Sequence, residues 1–164
     1  MGDTLAIMIT MTTYGTWLRG DARGWVDRGI VFPPDPELEA ADRARMKYPE
    51  FRFRANDWLR VGEWIGRSLR ERLQIVIWAM TVQSWHVHLV IPATPHPISR
   101  AVKCAKDAVR WGSRLDRPIW SDGYDKRFCF DEASALGRIA YVERHNVEVG
   151  RSARPWDFIS VPAF

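Results

Sequence analysis

The sequence predicts an α+β fold, a small antiparallel sheet covered by helices on one face. Three observations carry that prediction. Two β-rich runs, at 75–82 and 86–91, lie only three residues apart, which is hairpin spacing. Segments with helical apolar periodicity follow and precede them. Along the chain the order is β, loop and helix, β, β, helix, β, helix. At 164 residues the chain fits a single domain, 1–164, by the prior of about 150 residues per domain. A hydrophobic content of 46% supports a core, and nine tryptophans argue against disorder.

Residues 5–13 (LAIMITMTT) are an apolar, partly β-branched run of strand length. Residues 14–29 hold four glycines and two tryptophans and predict neither regular helix nor strand; 14–55 reads as a loop and short-helix insertion. Pro33, Pro34 and Pro36 close the loop, and 37–47 is a short charged helix. Asn56 offers an N-cap for an amphipathic helix carrying Trp58, Leu59, Ile65, Leu69 and Leu73. After the 75–91 hairpin, Ser99 caps a helix reaching about Leu115. Residues 120–130 read as a loop with a short strand, and a last helix spans about 131–148, stopped by Gly150.

Function classes narrow before any motif is considered. Cys104 and Cys129 have neither metal nor disulfide-framework spacing, so a reducing, cytoplasmic compartment is expected. Neither a leader pattern nor an apolar run of membrane-spanning length occurs, so no membrane partner is expected. A net charge of +4 leans toward a polyanionic partner.

Three of the four histidines fit one site. His86 and His88 are two apart in a strand, so their side chains share a face. By itself that pair also suits a structural role. Tyr141 and His145 are four apart in RIAYVERHN and stack on one face of the last helix. His96, between prolines, reads as a surface loop residue, and Tyr124 in WSDGYDKR has no ligand partner at helical spacing.

The stretch WHVHLV resembles the His-hydrophobic-His motif of HUH endonucleases, and YVERHN resembles their tyrosine-bearing helix. From ITMTTYGTWLRGD to RPWDF the chain is similar to single-tyrosine transposases of bacterial insertion sequences, the IS-two-hundred-like class, and their REP-associated relatives. The resemblance implies a ferredoxin-like or RRM-like sheet whose open face carries the active site. It makes His86, His88 and His145 metal ligands and Tyr141 the nucleophile. Relatives often have Gln or Asn where His145 stands, and three nitrogens favour softer ions such as Mn²⁺, Co²⁺ or Zn²⁺. The family expectation is a divalent Mg²⁺ or Mn²⁺ with no nucleotide cofactor. The implied reaction is nicking and strand transfer on single-stranded DNA at hairpin-forming ends, through a tyrosine joined to a 5′ phosphate. Related enzymes include dimers and monomers, so a homodimer stays open.

The chemistry is coherent without the family. A phenol titrates near about 10 and is a poor nucleophile at neutral pH, so it needs an electrophile activated by a cation. Two other classes compete. A non-cleaving DNA or RNA hairpin-binding protein has no need of Tyr141 with three histidines, and a histidine-triad hydrolase wants a further histidine where Val90 stands.

DNA contacts are expected in two places. Arg100, Lys103, Lys106, Arg110 and Arg114 fall within an arc of about 120° on one helix side, a stripe able to hold phosphates or simply to be solvated. Trp17, Arg19, Arg23, Trp25 and Arg28 mix rings with guanidinium groups, a combination that stacks unpaired bases or caps a core.

Overall fold

Strands β1 (Ala6–Thr12), β4 (Ala79–Val82), β5 (His86–Pro92) and β6 (Asp125–Cys129) form an antiparallel sheet in the order β4-β5-β1-β6, while β2 (Trp25–Asp27) and β3 (Ile30–Phe32) form a separate hairpin. The helices are α1 (Pro36–Arg45), α2 (Trp58–Leu73), α3 (Ile98–Ser113) and α4 (Glu132–Glu148). The computed structural model describes residues 2–164.

Strand periodicity splits the sheet into two unlike faces. Ile7, Ile9 and Met11 of β1, Met80 and Val82 of β4, and Val87, Leu89 and Ile91 of β5 point to one side. There they meet Val61, Ile65, Leu69 and Leu73 of α2 and Ala101, Val102, Ala105 and Val109 of α3. On the other side Ala6, Met8, Ala79, Val90 and Cys129 meet Ala135, Ile139 and Val142 of α4. The α+β class is as expected, with α2 and α3 covering one face. The fourth helix roofs the other, so the histidine face lies under α4 and is not a bare sheet.

Several local readings change. Residues 14–29 do contain a strand: β2 pairs Trp25 with Phe32 and Asp27 with Ile30. Its two-residue turn has Arg28 at φ 48° and Gly29 at φ 79°, the doubly left-handed turn that suits hairpin twist. Asn56 sits inside a 3₁₀ turn at Ala55–Asp57 and does not cap α2. Ser99 lies within the first turn of α3, because Pro97 already sets the start with its fixed φ. The run 75–82 is strand only from Ala79: the chain bends at Trp78, and Ile77 pairs in parallel with Ile159 of the C-terminal segment. Asp35 and Asp131 cap α1 and α4 through their side chains.

The C-terminal segment ties the two sides together. Trp156 and Phe158 lie on α2 at Gly62 and Gly66, where an added Cβ would stand 2.1 and 2.2 Å from the rings. Only glycine admits them so closely.

Candidate active site

The site is built where β5 passes beneath the C-terminal half of α4. On β1, Thr10 stands opposite His88 and Thr12 opposite His86. The histidine rings lie 4.5 Å apart, and His145 on α4 comes within 5.8 Å of His86 and 5.0 Å of His88, centroid to centroid. One ligand nitrogen from each of the three lies within 4.8 Å of the others. Tyr141, one turn before His145, has its ring 4.6 Å from His145 and 5.6 Å from His88. All four side chains singled out from the sequence therefore converge. His86 and His88 are buried, whereas Tyr141 is exposed.

Hydrogen bonding fixes the free nitrogen of one of the three rings and bears on that of a second. His145 Nδ1 lies 2.8 Å from the Tyr141 carbonyl, which can only accept, so Nδ1 carries the proton and Nε2 is left bare. His88 Nδ1 lies 2.8 Å from Thr10 Oγ1; donation to that oxygen leaves its Nε2 bare as well. Both nitrogens of His86 are buried with no hydrogen-bond partner among the described residues. Buried polar nitrogens left in this way are what a cation would satisfy. The three-imidazole donor set fits a divalent transition ion.

Electrostatics point the same way. Burial pushes His86 down to about 4, helped by the charge His145 carries when protonated and by Arg23. It pushes His88 down to about 3, helped by His86 and His145. Both imidazoles are thus neutral at physiological pH, the form that binds metal.

The roof is held by side chains that the sequence reading passed over. Asn146, 1% exposed, donates from Nδ2 to the carbonyls of Met80 and Ala153 at 2.9 and 3.1 Å. Gln83 donates to the His145 carbonyl at 3.1 Å. Thr10 was missed because its role needs the β1–β5 register. Trp85, in the three-residue link between the two strand-forming runs, has its ring 4.3 Å from that of His86.

The expected DNA-contact residues separate into groups. Trp17 stands 5.6 Å from Trp85, and the Arg23 guanidinium lies 4.0 Å from the Trp17 ring and 4.9 Å from that of Trp85. These two reach the site edge. Arg19 is held in a bidentate pair with Asp42 of α1, and Trp25 stacks on Phe32. The α3 cations lie across the sheet from the histidines, since α3 packs on the opposite face. Lys103 and Arg110 pair with Asp107. Lys106 turns inward to the carbonyls of Ser121 and Gly123, and burial lowers its pKa. Arg114 lies beyond the helix as its left-handed cap, and Arg100 is exposed without an ion pair among the described residues. His96 is half-buried, its Nε2 3.0 Å from the Leu73 carbonyl at the end of α2. Tyr124 packs against the large core.

Comparison with known proteins bears on the fold. A REP-associated tyrosine transposase, solved bound to a REP hairpin, superposes with a TM-score of 0.54 at 12% identity, over 96% of this chain and 78% of that one. The chain has the tyrosine-transposase fold. A Deinococcus radiodurans chain described only as a candidate transposase is 20% identical over 87% of this chain and 91% of its own, with a TM-score of 0.43. No protein-family model matches the sequence, and no curated protein does. Among the described residues, no helix is long and apolar enough to cross a membrane.

Proposed function

We propose that the chain is a single-tyrosine HUH-type transposase, related to the REP-associated group, that nicks and rejoins single-stranded DNA at hairpin-forming ends. The observation that carries this reading is the convergence of Tyr141 with three imidazoles, each offering one nitrogen within 4.8 Å of those of the others. A pure hairpin binder has no physical use for that arrangement. The fold shared with a transposase solved on a REP hairpin supports hairpin DNA as the partner.

His86, His88 and His145 would hold a divalent cation, Mg²⁺ or Mn²⁺ by family expectation. When bound, it would neutralise charge on the scissile phosphate and raise its electrophilicity. The protein supplies the rest. Tyr141 Oη attacks the phosphorus, forming a tyrosine–5′-phosphate ester as the bond to the 3′ oxygen breaks. The phenolic proton is balanced by the one that the leaving 3′ hydroxyl acquires. Attack by another 3′ hydroxyl reverses the step and rejoins a strand, so no nucleotide cofactor is needed. The Tyr141 carbonyl keeps His145 in the tautomer whose Nε2 can ligate, and Thr10 does the same for His88 when its hydroxyl accepts from Nδ1.

Incubation with an end-labelled stem-loop oligonucleotide carrying unpaired flanks, in Mn²⁺, should give a protein–DNA adduct on a denaturing gel. Peptide mapping should place the DNA on Tyr141. An adduct on Tyr124 instead would overturn the assignment.

A further inference from the structure

We propose that Trp17, Arg23 and Trp85 form a rack for one unpaired nucleotide beside the histidines, its base stacking on the exposed planes of Trp17 and Arg23, with the half-buried Trp85 behind them; this deepens, and rests on, the DNA reading above. Position is the first ground. Trp85 directly precedes His86 with the two rings in contact, and Trp17 and Arg23 extend the cluster outward from there. A strand whose phosphate lies at the histidines therefore has this surface as a neighbour.

Preorganisation is the second ground. Arg23 donates from Nε and Nη2 to the two carboxylate oxygens of Asp21, each at 2.8 Å, and from Nη2 to the Thr16 carbonyl at 2.8 Å. Asp21 is itself buried and also accepts from the Arg23 backbone N–H at 2.8 Å. A guanidinium held at so many points has lost most of its freedom before any ligand arrives. Its Nη1 alone has no partner among the described residues, leaving donors for a phosphate or a base carbonyl. The Trp17 indole is likewise fixed, its N–H donating to the Gly24 carbonyl at 2.8 Å.

Exposure is the third. Trp17 remains 39% exposed, where Trp120 and Trp156 are buried in the core. A tryptophan whose task was only to close the loop would be covered. Trp25 supplies the contrast within the same loop: it is half-buried, with its ring stacked on Phe32. Stacking on such a surface is tolerant of base identity and accounts for roughly five- to hundred-fold in affinity per base.

The test compares three probes: a fluorescent stem-loop with a ten-thymidine extension, the same stem-loop with a ten-unit abasic extension, and the blunt stem-loop. The abasic extension keeps the phosphates and removes the bases. The wild-type protein should bind the thymidine extension roughly five- to hundred-fold tighter than the abasic one. Trp17→Ala should erase that difference, Trp17→Phe should restore most of it, and Trp25→Ala should leave it intact. A Trp17→Ala protein that still distinguishes the extensions overturns the rack, as does equal loss in Trp25→Ala. Adduct formation by the wild type without base discrimination overturns the rack alone. Discrimination without an adduct overturns the cleavage reading alone, and failure to bind any probe overturns both.

Discussion

The two faces of the sheet are built by different physics. Beneath α2 and α3 the strands present an unbroken set of aliphatic side chains, completed by Trp156 lying on a glycine of α2. Beneath α4 the apolar patch is small, and where it ends the sheet offers His86 and His88 of β5, Thr10 of β1 and Thr81 of β4. The first face is held by buried area, which is tolerant of exact position but not of lost volume. The second is held at its working end by directional bonds from Asn146 and Gln83. The consequence is a division of labour: one face sets whether the chain folds, and the other sets where Tyr141 and His145 stand.

Tyr141→Phe should break the comparison most sharply. It removes one oxygen from an exposed ring, so the melting temperature should stay put while adduct formation falls by roughly three orders of magnitude or more. Denaturing-gel adduct yield and a melting curve on the same preparation check both halves.

Acid should then act first on the histidine face, at pH values above those where Asp21, Asp42 and Asp131 begin to lose their bonds. His86 and His88 are held near about 4 and about 3, against an unfolded value near about 6.5. Above pH about 6.5 both states are neutral there and stability does not change through these groups. As pH falls below it, the unfolded chain binds protons the folded one refuses, so stability drops progressively until the folded values are reached. The combined loss is at most on the order of several kcal/mol. Chemical denaturation in chelator at stepwise lower pH should show it. His86→Leu with His88→Leu should flatten the profile, and an unchanged slope in that variant would place the acid sensitivity elsewhere.

Leu69→Ala probes the opposite face. Leu69 is fully buried in the large core, so truncation should cost about 2–5 kcal/mol of stability. Co²⁺ absorption by the folded protein, which would report the histidine set, should be unchanged.

The sequence was legible wherever one element carried the whole pattern. His86 with His88 follows from strand alternation, Tyr141 with His145 from the helical turn, and the apolar faces of α2 and α3 from their own periodicity. It was illegible where two elements had to be registered against each other. Thr10 meets His88 only through the β1–β5 pairing, and Asn146 acts only through carbonyls on β4 and in the C-terminal segment. The α3 cations show the same limit from the other side. A helical wheel places them on one arc but carries no information on which sheet face the helix covers, nor that Lys106 is turned to carbonyls 15 and 17 residues away. The β2–β3 hairpin was hidden because its turn uses Arg28 at positive φ, a conformation that few non-glycine residues adopt.

The smallest expected effect is the most specific to this division. Gln83 is half-buried, and its side chain makes one bond, to the His145 carbonyl. Gln83→Ala removes that bond without opening the core, so stability should fall by only about 0.5–1.5 kcal/mol. If the histidine face is held by direction and not by area, the loss should instead appear in geometry. The last turn of α4 would loosen over β5, and His145 would be delivered less often to the other two imidazoles. Co²⁺ titration should then show affinity weakened by several-fold, with the absorption band shifted toward a two-histidine environment. Gln83→Glu, which keeps the reach but loses the amide donor, should behave like alanine. A variant with wild-type Co²⁺ affinity and only the stability loss would mean that Ile139 and Val142 hold α4 in place unaided, and the two faces would then differ in composition but not in how they are secured.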